Sequence, residues 1–247
     1  MCGSQMIAKC GPRILHHWAH RGQRNCDPWW ENETEWHRAW KDLFPEACRE
    51  ISHVAPDGEV HRADIKTPTG IVIEIQHSSM PDSERLSREV FYENLVWVLD
   101  GTTFKDNFDL YHQLPDPASE LAKDIVWSKA KRGLLGTTNG TFYRRSENEP
   151  GATMVLVHSI REIQDEITNN WRGHRQYDWV RPRNTWLDAT CPVYIDFGNE
   201  YLVKLEEYGE SQMPCVRMVS KLKFVRDVMV KQLATELAVD FSVDIQL

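Results

Sequence analysis

Thr67-Pro68-Thr69-Gly70 is the feature that most narrows what this chain can fold into. Proline pre-sets the second position of a type I turn, and glycine accepts the left-handed backbone that closes a three-residue hairpin loop. The flanks, His61-Arg62-Ala63-Asp64-Ile65-Lys66 and Ile71-Val72-Ile73-Glu74-Ile75-Gln76, carry the apolar β-formers of two strands. With Pro68, Thr69 and Gly70 as the loop, Thr67 faces Ile71, and counting back sets Asp64 opposite Glu74. Directly opposed side chains on one hairpin face sit about 4.5 to 5.5 Å apart, within reach of one bridging divalent cation. A loop one residue shorter or longer would send the two acids to opposite faces.

Ile65, Ile71, Val72, Ile73 and Ile75 predict a hairpin buried on one or both faces. An unpaired carboxylate is costly there. A hard cation with oxygen ligands removes that cost; a hairpin with one wet face avoids it altogether. Upstream, Glu33 to Lys41 has helical spacing, with Glu33, His37 and Lys41 on one stripe and Trp36, Trp40, Leu43 and Phe44 on another. Downstream, Ser79 to Asp82 has the spacing of a capping box that opens a helix through Asn94, with Leu86 and Val90 on its apolar face. Leu95 to Leu99 then reads as a buried strand ending at Asp100-Gly101.

Together Glu33-x-x-x-His37-x-x-x-Lys41, His61-Arg62-Ala63-Asp64, Glu74-Ile75-Gln76-His77-Ser78, Arg88-x-x-x-Tyr92 and Val96-Trp97-Val98-Leu99 resemble the CoiA-like competence protein family, over residues 1 to 101. That family is similar to the PD-(D/E)xK, or restriction-endonuclease-like, nucleases. The resemblance implies an α/β fold, a restriction-endonuclease-like mixed sheet flanked by helices, with a small N-terminal Cys/His segment and a C-terminal α+β extension. It implies a metal-dependent deoxyribonuclease in which Asp64, Glu74 and the Ile75 carbonyl hold Mg²⁺ or Mn²⁺, and Glu33 acts through water or a second ion. Gln76 falls where the wider superfamily has lysine. It offers hydrogen bonds without positive charge, so it is expected to position water or a phosphate oxygen. Lys66, on the Asp64 face by alternation, is a candidate replacement for that lysine. His37, His61 and His77 are candidates to orient carboxylates or contact phosphate, and Arg88 to contact phosphate or pair with acids. The setting implied is DNA uptake and recombination or anti-phage defence; a catalytically degenerate nucleic-acid-binding or scaffolding subunit is the alternative.

Cys2, Cys10, His16, His17, His20 and Cys26 crowd the N-terminus. The family's N-terminus resembles a zinc knuckle ending in His-Phe-Ala-His, which His17-Trp18-Ala19-His20 matches, so Cys2, Cys10, His17 and His20 are candidate Zn²⁺ ligands. The expected organisation is a degenerate knuckle over residues 1–27, a nuclease core over 28–115, and a region over 116–247 that completes the core or forms a subdomain. Within the last, the patterns predict a helix over 117–131, strands at 154–158, 186–188, 193–198 and 202–205, and helices over 159–169 and 220–236.

The formal charge of −8 disfavours bulk attraction to nucleic acid, so DNA, single- or double-stranded, has to be met by local basic surface, metal, or a protein partner or second copy. Lys129, Lys131 and Arg132 form one such stretch. Residues 171–183 form another, interleaving Arg172 and Arg175 with aromatic rings in a pattern that suits base stacking and equally suits a packed loop. With no signal peptide, no membrane span and six cysteines lacking disulfide-framework spacing, the expectation is a reduced, cytoplasmic protein.

Overall fold

A computed structural model describes residues 6–9, 17–20, 33–54, 60–133, 140–149, 151 and 154–230. The described chain begins with strands β1 (Met6–Lys9) and β2 (His17–His20), paired antiparallel. Helix α1 (Glu35–Asp42) follows, capped by the Thr34 hydroxyl, which accepts from the His37 amide at 3.1 Å. Glu33 therefore precedes the helix rather than occupying its first turn. Strands β3 (Arg49–Val54), β4 (Val60–Lys66) and β5 (Val72–Gln76) lead to α2 (Asp82–Phe91) and β6 (Leu95–Asp100). Then come β7 (Phe108–Pro115), α3 (Glu120–Asp124), β8 (Ile125–Trp127), β9 (Thr141–Arg144), β10 (Val157–Ser159) and α4 (Gln164–Asn169). The described chain closes with β11 (Trp171–Trp179), α5 (Asn184–Leu187), β12 (Val193–Asp196), β13 (Tyr201–Tyr208), β14 (Met213–Ser220) and α6 (Lys221–Val230).

Nine of these strands share one mixed sheet in the order β3-β4-β5-β6-β12-β13-β14-β11-β7, and β10-β9-β8 form a small second sheet. Strands from both sides of residue 115 thus build the main sheet. The pairs β5–β6 and β6–β12 are parallel, which suits their near-continuous apolar sequences, and the other pairs are antiparallel. One face packs Ile65, Ile73, Ile75, Val96 and Val98 against Trp40 and Phe44 from α1 and its C-terminal turn and against Phe224 and Val228 of α6. The other packs Val72, Leu95, Trp97 and Leu99 with Tyr92, Trp186 and Ile195.

Several boundaries depart from the patterns. Helix α2 begins after Pro81, with no side-chain cap from Ser79, and stops at Phe91. Its orientation is inverted: Arg85, Arg88 and Glu89 are buried, while Leu86 and Val90 are 46% and 84% exposed. Residues 186–188 are not a strand, because Trp186 sits in α5 and meets Trp97 edge-on at 5.2 Å. The helix expected over 117–131 is the short α3 followed by β8, and 220–236 is helical to Val230, with the remainder outside the described residues. Residues 171–179 are strand, not loop, and bury Trp179 against Phe104 and stack Tyr177 on Phe108, so these two rings belong to the core. No helix of the described residues is long and apolar enough to cross a membrane.

Candidate functional site

The hairpin closes as its turn chemistry requires. Gly70 has φ +85°, its amide donates to Thr67 O at 3.0 Å, and the Thr67 amide donates to Ile71 O at 2.8 Å. Ladder pairs Ile65↔Ile73 and Lys66↔Val72 fix the register that carries Asp64 opposite Glu74. The β3–β4 register, with Arg49↔Ile65 and Ile51↔Ala63, likewise carries Glu50 opposite Asp64. Counted on from these pairs, the register sets Glu50, Asp64 and Glu74 level on three adjacent strands, although none of the three is itself a ladder pair.

That row is also where the sheet is irregular. The β4–β5 ladder stops at Ile65, and the Ile75 amide donates instead to the Asp64 carboxylate at 2.9 Å. Ala63 and Ile65, two residues apart, pack into different cores. Glu50 has a left-handed backbone, φ +56°, a conformation that non-glycine residues adopt rarely and at a cost. The consequence corrects the expectation of one shared concavity: Asp64 is partnered from the α1 side of the sheet and Glu74 from the α2 side.

On the first side, Asp64 Oδ1 lies 2.9 Å from His37 Nε2 and 3.0 Å from Lys41 Nζ. Among the described residues neither His37 ring nitrogen makes a hydrogen bond, so this is a close approach of the imidazole to the carboxylate. Lys41 Nζ also donates to Glu33 and to Glu50, and Arg62 Nε meets the second oxygen of Glu50 at 2.6 Å. The ammonium that reaches Asp64 is thus Lys41's. Burial alone would raise the Asp64 pKa, but His37, Lys41 and the Ile75 amide outweigh it and hold the carboxyl below its usual range. Burial likewise works against the charge on Lys41, and Asp64, Glu33 and Glu50 more than restore it, raising its pKa. Glu33 is held below its usual range because Lys41 and His37 overcome its partial burial.

On the second side, Glu74 is 4% exposed and pairs with Arg88 at 2.7 Å, while Arg88 also holds Glu84 at 2.5 Å. Arg88 therefore pairs with acids, one of its two expected roles. Burial, then the charge of Asp64, pushes the Glu74 carboxyl up to about 8. The ion pair with Arg88 pulls the other way, and burial with Asp64 prevails because Arg88 is shared between two acids. Glu74 Oε1 is buried with no hydrogen-bond partner among the described residues. Gln76, also 4% exposed, donates to Ser78 Oγ at 3.0 Å and is tied to the turn after β5. His77 lies 6.3 Å, ring to ring, from His37. Among the described residues no three His, Cys, Asp or Glu side chains form an open metal cage; Glu33, Glu50 and Asp64 close around Lys41 instead.

The basic stretches lie elsewhere and lie together. Ala130 and Arg132 amides donate to the side chains of Gln176 and Asp178 on β11, joining the residue 129–132 segment to that strand. Lys129, Lys131 and Arg172 are exposed, Arg132 pairs with Asp109 at 2.5 Å, and Arg175 lies over the Trp171 ring and donates to Tyr111 O. From β5 to β11 is five strand spacings, about 24 Å at 4.8 Å each. His17 and His20 begin and end β2, whereas Cys2 and Cys10 lie outside the described residues. The residues missed by pattern are Glu50 and Lys41, and the only signal for Lys41 was its place on the Glu33–His37 stripe. The chain matches no protein-family model, no curated protein and no solved structure.

Proposed function

We propose that this chain is a metal-dependent deoxyribonuclease of the PD-(D/E)xK, restriction-endonuclease-like kind. The observation that carries the reading is Glu74 Oε1, a buried carboxylate oxygen with no hydrogen bond among the described residues, on the strand that follows the hairpin turn. Arg88 engages one oxygen of Glu74, while Oε1 is buried with no hydrogen bond and the charge of Asp64 acts on it across the irregular β4–β5 pairing; Mg²⁺ or Mn²⁺ reaching both carboxylates would offset that charge. Asp64, Glu74 and the Ile75 carbonyl would hold the ion. Bound there, it supplies an acidified water and offsets the charge that develops on the phosphate.

The chain's own residues do the remaining work. His37 and Lys41 keep Asp64 ionised, and Arg88 orients Glu74 from α2. Gln76, anchored by Ser78, presents its amide beside Glu74 to orient water or a phosphate oxygen. Glu33, brought in by the resemblance through water or a second ion, is tied to Lys41. DNA approaches along the exposed Lys129, Lys131 and Arg172, with a protein partner or second copy compensating the acidic net charge. DNA uptake and recombination or anti-phage defence, in the cytoplasm, is the setting that fits such an enzyme. One observation favours the scaffold reading: Lys41 and Arg88 already neutralise the acids without any metal.

The two readings part in a cleavage assay on plasmid and single-stranded DNA, with and without Mg²⁺ or Mn²⁺. Cleavage that needs metal and is lost in Asp64→Ala and in Glu74→Ala, both still folded, is the expected result. Equal cleavage by wild type and both variants rules out this active site, and no cleavage by any version leaves the scaffold.

A further inference from the structure

Three carboxylate oxygens, from Glu33, Glu50 and Asp64, converge on a single nitrogen, Lys41 Nζ. They come from three separate elements: the residue before the α1 cap, β3 and β4. Convergence of hard oxygen donors on one point is the arrangement by which proteins hold Ca²⁺ or Mg²⁺, and here the point is filled by the chain itself. The Lys41 side chain is 7% exposed, while the Glu33 and Glu50 side chains are 34% and 33% exposed, so the ammonium lies inside the ring of acids and the acids face outward. Glu50 reaches this ring from a residue with left-handed backbone, φ +56°.

We propose that Lys41 is the resident cation of a tricarboxylate cage, excluding divalent metal from Glu33, Glu50 and Asp64. Resting on the nuclease reading, this deepens it: the enzyme works with one divalent ion, at Asp64 and Glu74, and carries its second positive charge as an ammonium. An ammonium has fixed charge and three donors, matching three acceptors in number. A divalent ion at the same point would have to displace a lysine whose partners are all in place. Glu33 and Glu50 are then positioning residues, acting on the reaction only through Lys41 and Asp64.

The test is a count of Mn²⁺ ions on the full-length chain by titration calorimetry and electron paramagnetic resonance. Wild type binds one, Lys41→Met binds two because the emptied cage accepts an ion, and Lys41→Met with Glu50→Gln returns to one. In the wild-type background, which keeps the lysine, Glu50→Gln leaves Mn²⁺ affinity within about threefold. A folded Lys41→Met chain with no added ion overturns the proposal. So does a loss of ten-fold or more in Mn²⁺ affinity on Glu50→Gln alone, a measurement that stands even where Lys41→Met does not fold. If wild type binds no Mn²⁺ while Lys41→Met binds one that Glu50→Gln removes, the cage stands and the metal-dependent nuclease reading falls.

Discussion

Glu74 carries a pH signature of its own. Its pKa in the folded chain, about 8, stands above an ordinary value of 4.5. The folded state therefore binds the proton more tightly than the unfolded chain. The stabilisation linked to that proton is complete below pH 4.5 and is lost as pH rises to about 8. Glu74→Gln keeps the shape and removes the titration. With divalent metal chelated, its stability relative to wild type should grow from pH 5 to pH 9 in denaturant titrations; a constant difference would show that Glu74 is not protonated in the native state. Gln76, one alternation further along the same face, tests positioning rather than charge. Gln76→Ala should slow cleavage by about 10²-fold, the scale of one positioned donor, and Gln76→Glu should slow it further, because it adds an anion beside the phosphate. Full activity of both variants in single-turnover assays would reduce Gln76 to a strand residue. Asp64 and Glu74 were legible in the sequence because turn chemistry is local and register follows from it. Glu50 was not, since its contact with Lys41 joins β3 to a lysine from another element and nothing local to Glu50 encodes it.

Helix α2 shows where element-scale reasoning fails. Periodicity assigns Leu86 and Val90 to the core, yet the sheet face beneath α2 contains Glu74, so Arg88 is the side chain drawn inward. Arg85 and Glu89 follow it, pairing at 2.5 Å, and Glu89 also receives the Trp97 indole at 3.1 Å and the Thr190 hydroxyl at 2.8 Å. The Arg85–Glu89 and Glu84–Arg88 pairs have i,i+4 spacing within the helix, but Glu74, Trp97 and Thr190 lie outside it, so no pattern within residues 82–91 shows that this charged face turns inward. Removing one member of a buried pair leaves the other charge uncompensated. Arg85→Ala should therefore cost about 3 to 5 kcal/mol, whereas Val90→Ser, on the exposed face, should stay within about 0.5 kcal/mol. Urea unfolding checks both, and similar costs for the two would contradict the inverted orientation. By contrast, α1 follows its pattern in part: its cap, Thr34, and the buried Trp40 and Phe44 are local to the segment, whereas Leu43 is exposed and His37 and Lys41 of the polar stripe are buried.

At the scale of the whole molecule, the acids and the basic surface occupy distant parts of one sheet. A duplex reaching from β5 to the strand bearing Arg172 would cover about 24 Å, or roughly 7 base pairs at 3.4 Å each. The mixed sheet itself was legible only in part: β6 announces itself by a continuous apolar run and β5 by the hairpin turn before it, while β7 and β11 are interrupted by polar and charged residues and are strands by virtue of the neighbours they pair with. The parallel pairing of β6 with β12 joins Trp97 to Val193, 96 residues later (193 − 97). A contact of that span forms late, since a long loop must close before any burial compensates its lost entropy. Folding of this chain should accordingly be slow for its size, in the millisecond to second range, and stopped-flow fluorescence of its tryptophans would measure it. Until β12 arrives, β6 presents an open edge of Val96, Trp97, Val98 and Leu99, the kind of edge to which another chain adds. A fragment ending at residue 115 contains every acid of the candidate site and leaves that edge bare, so it should aggregate rather than cleave.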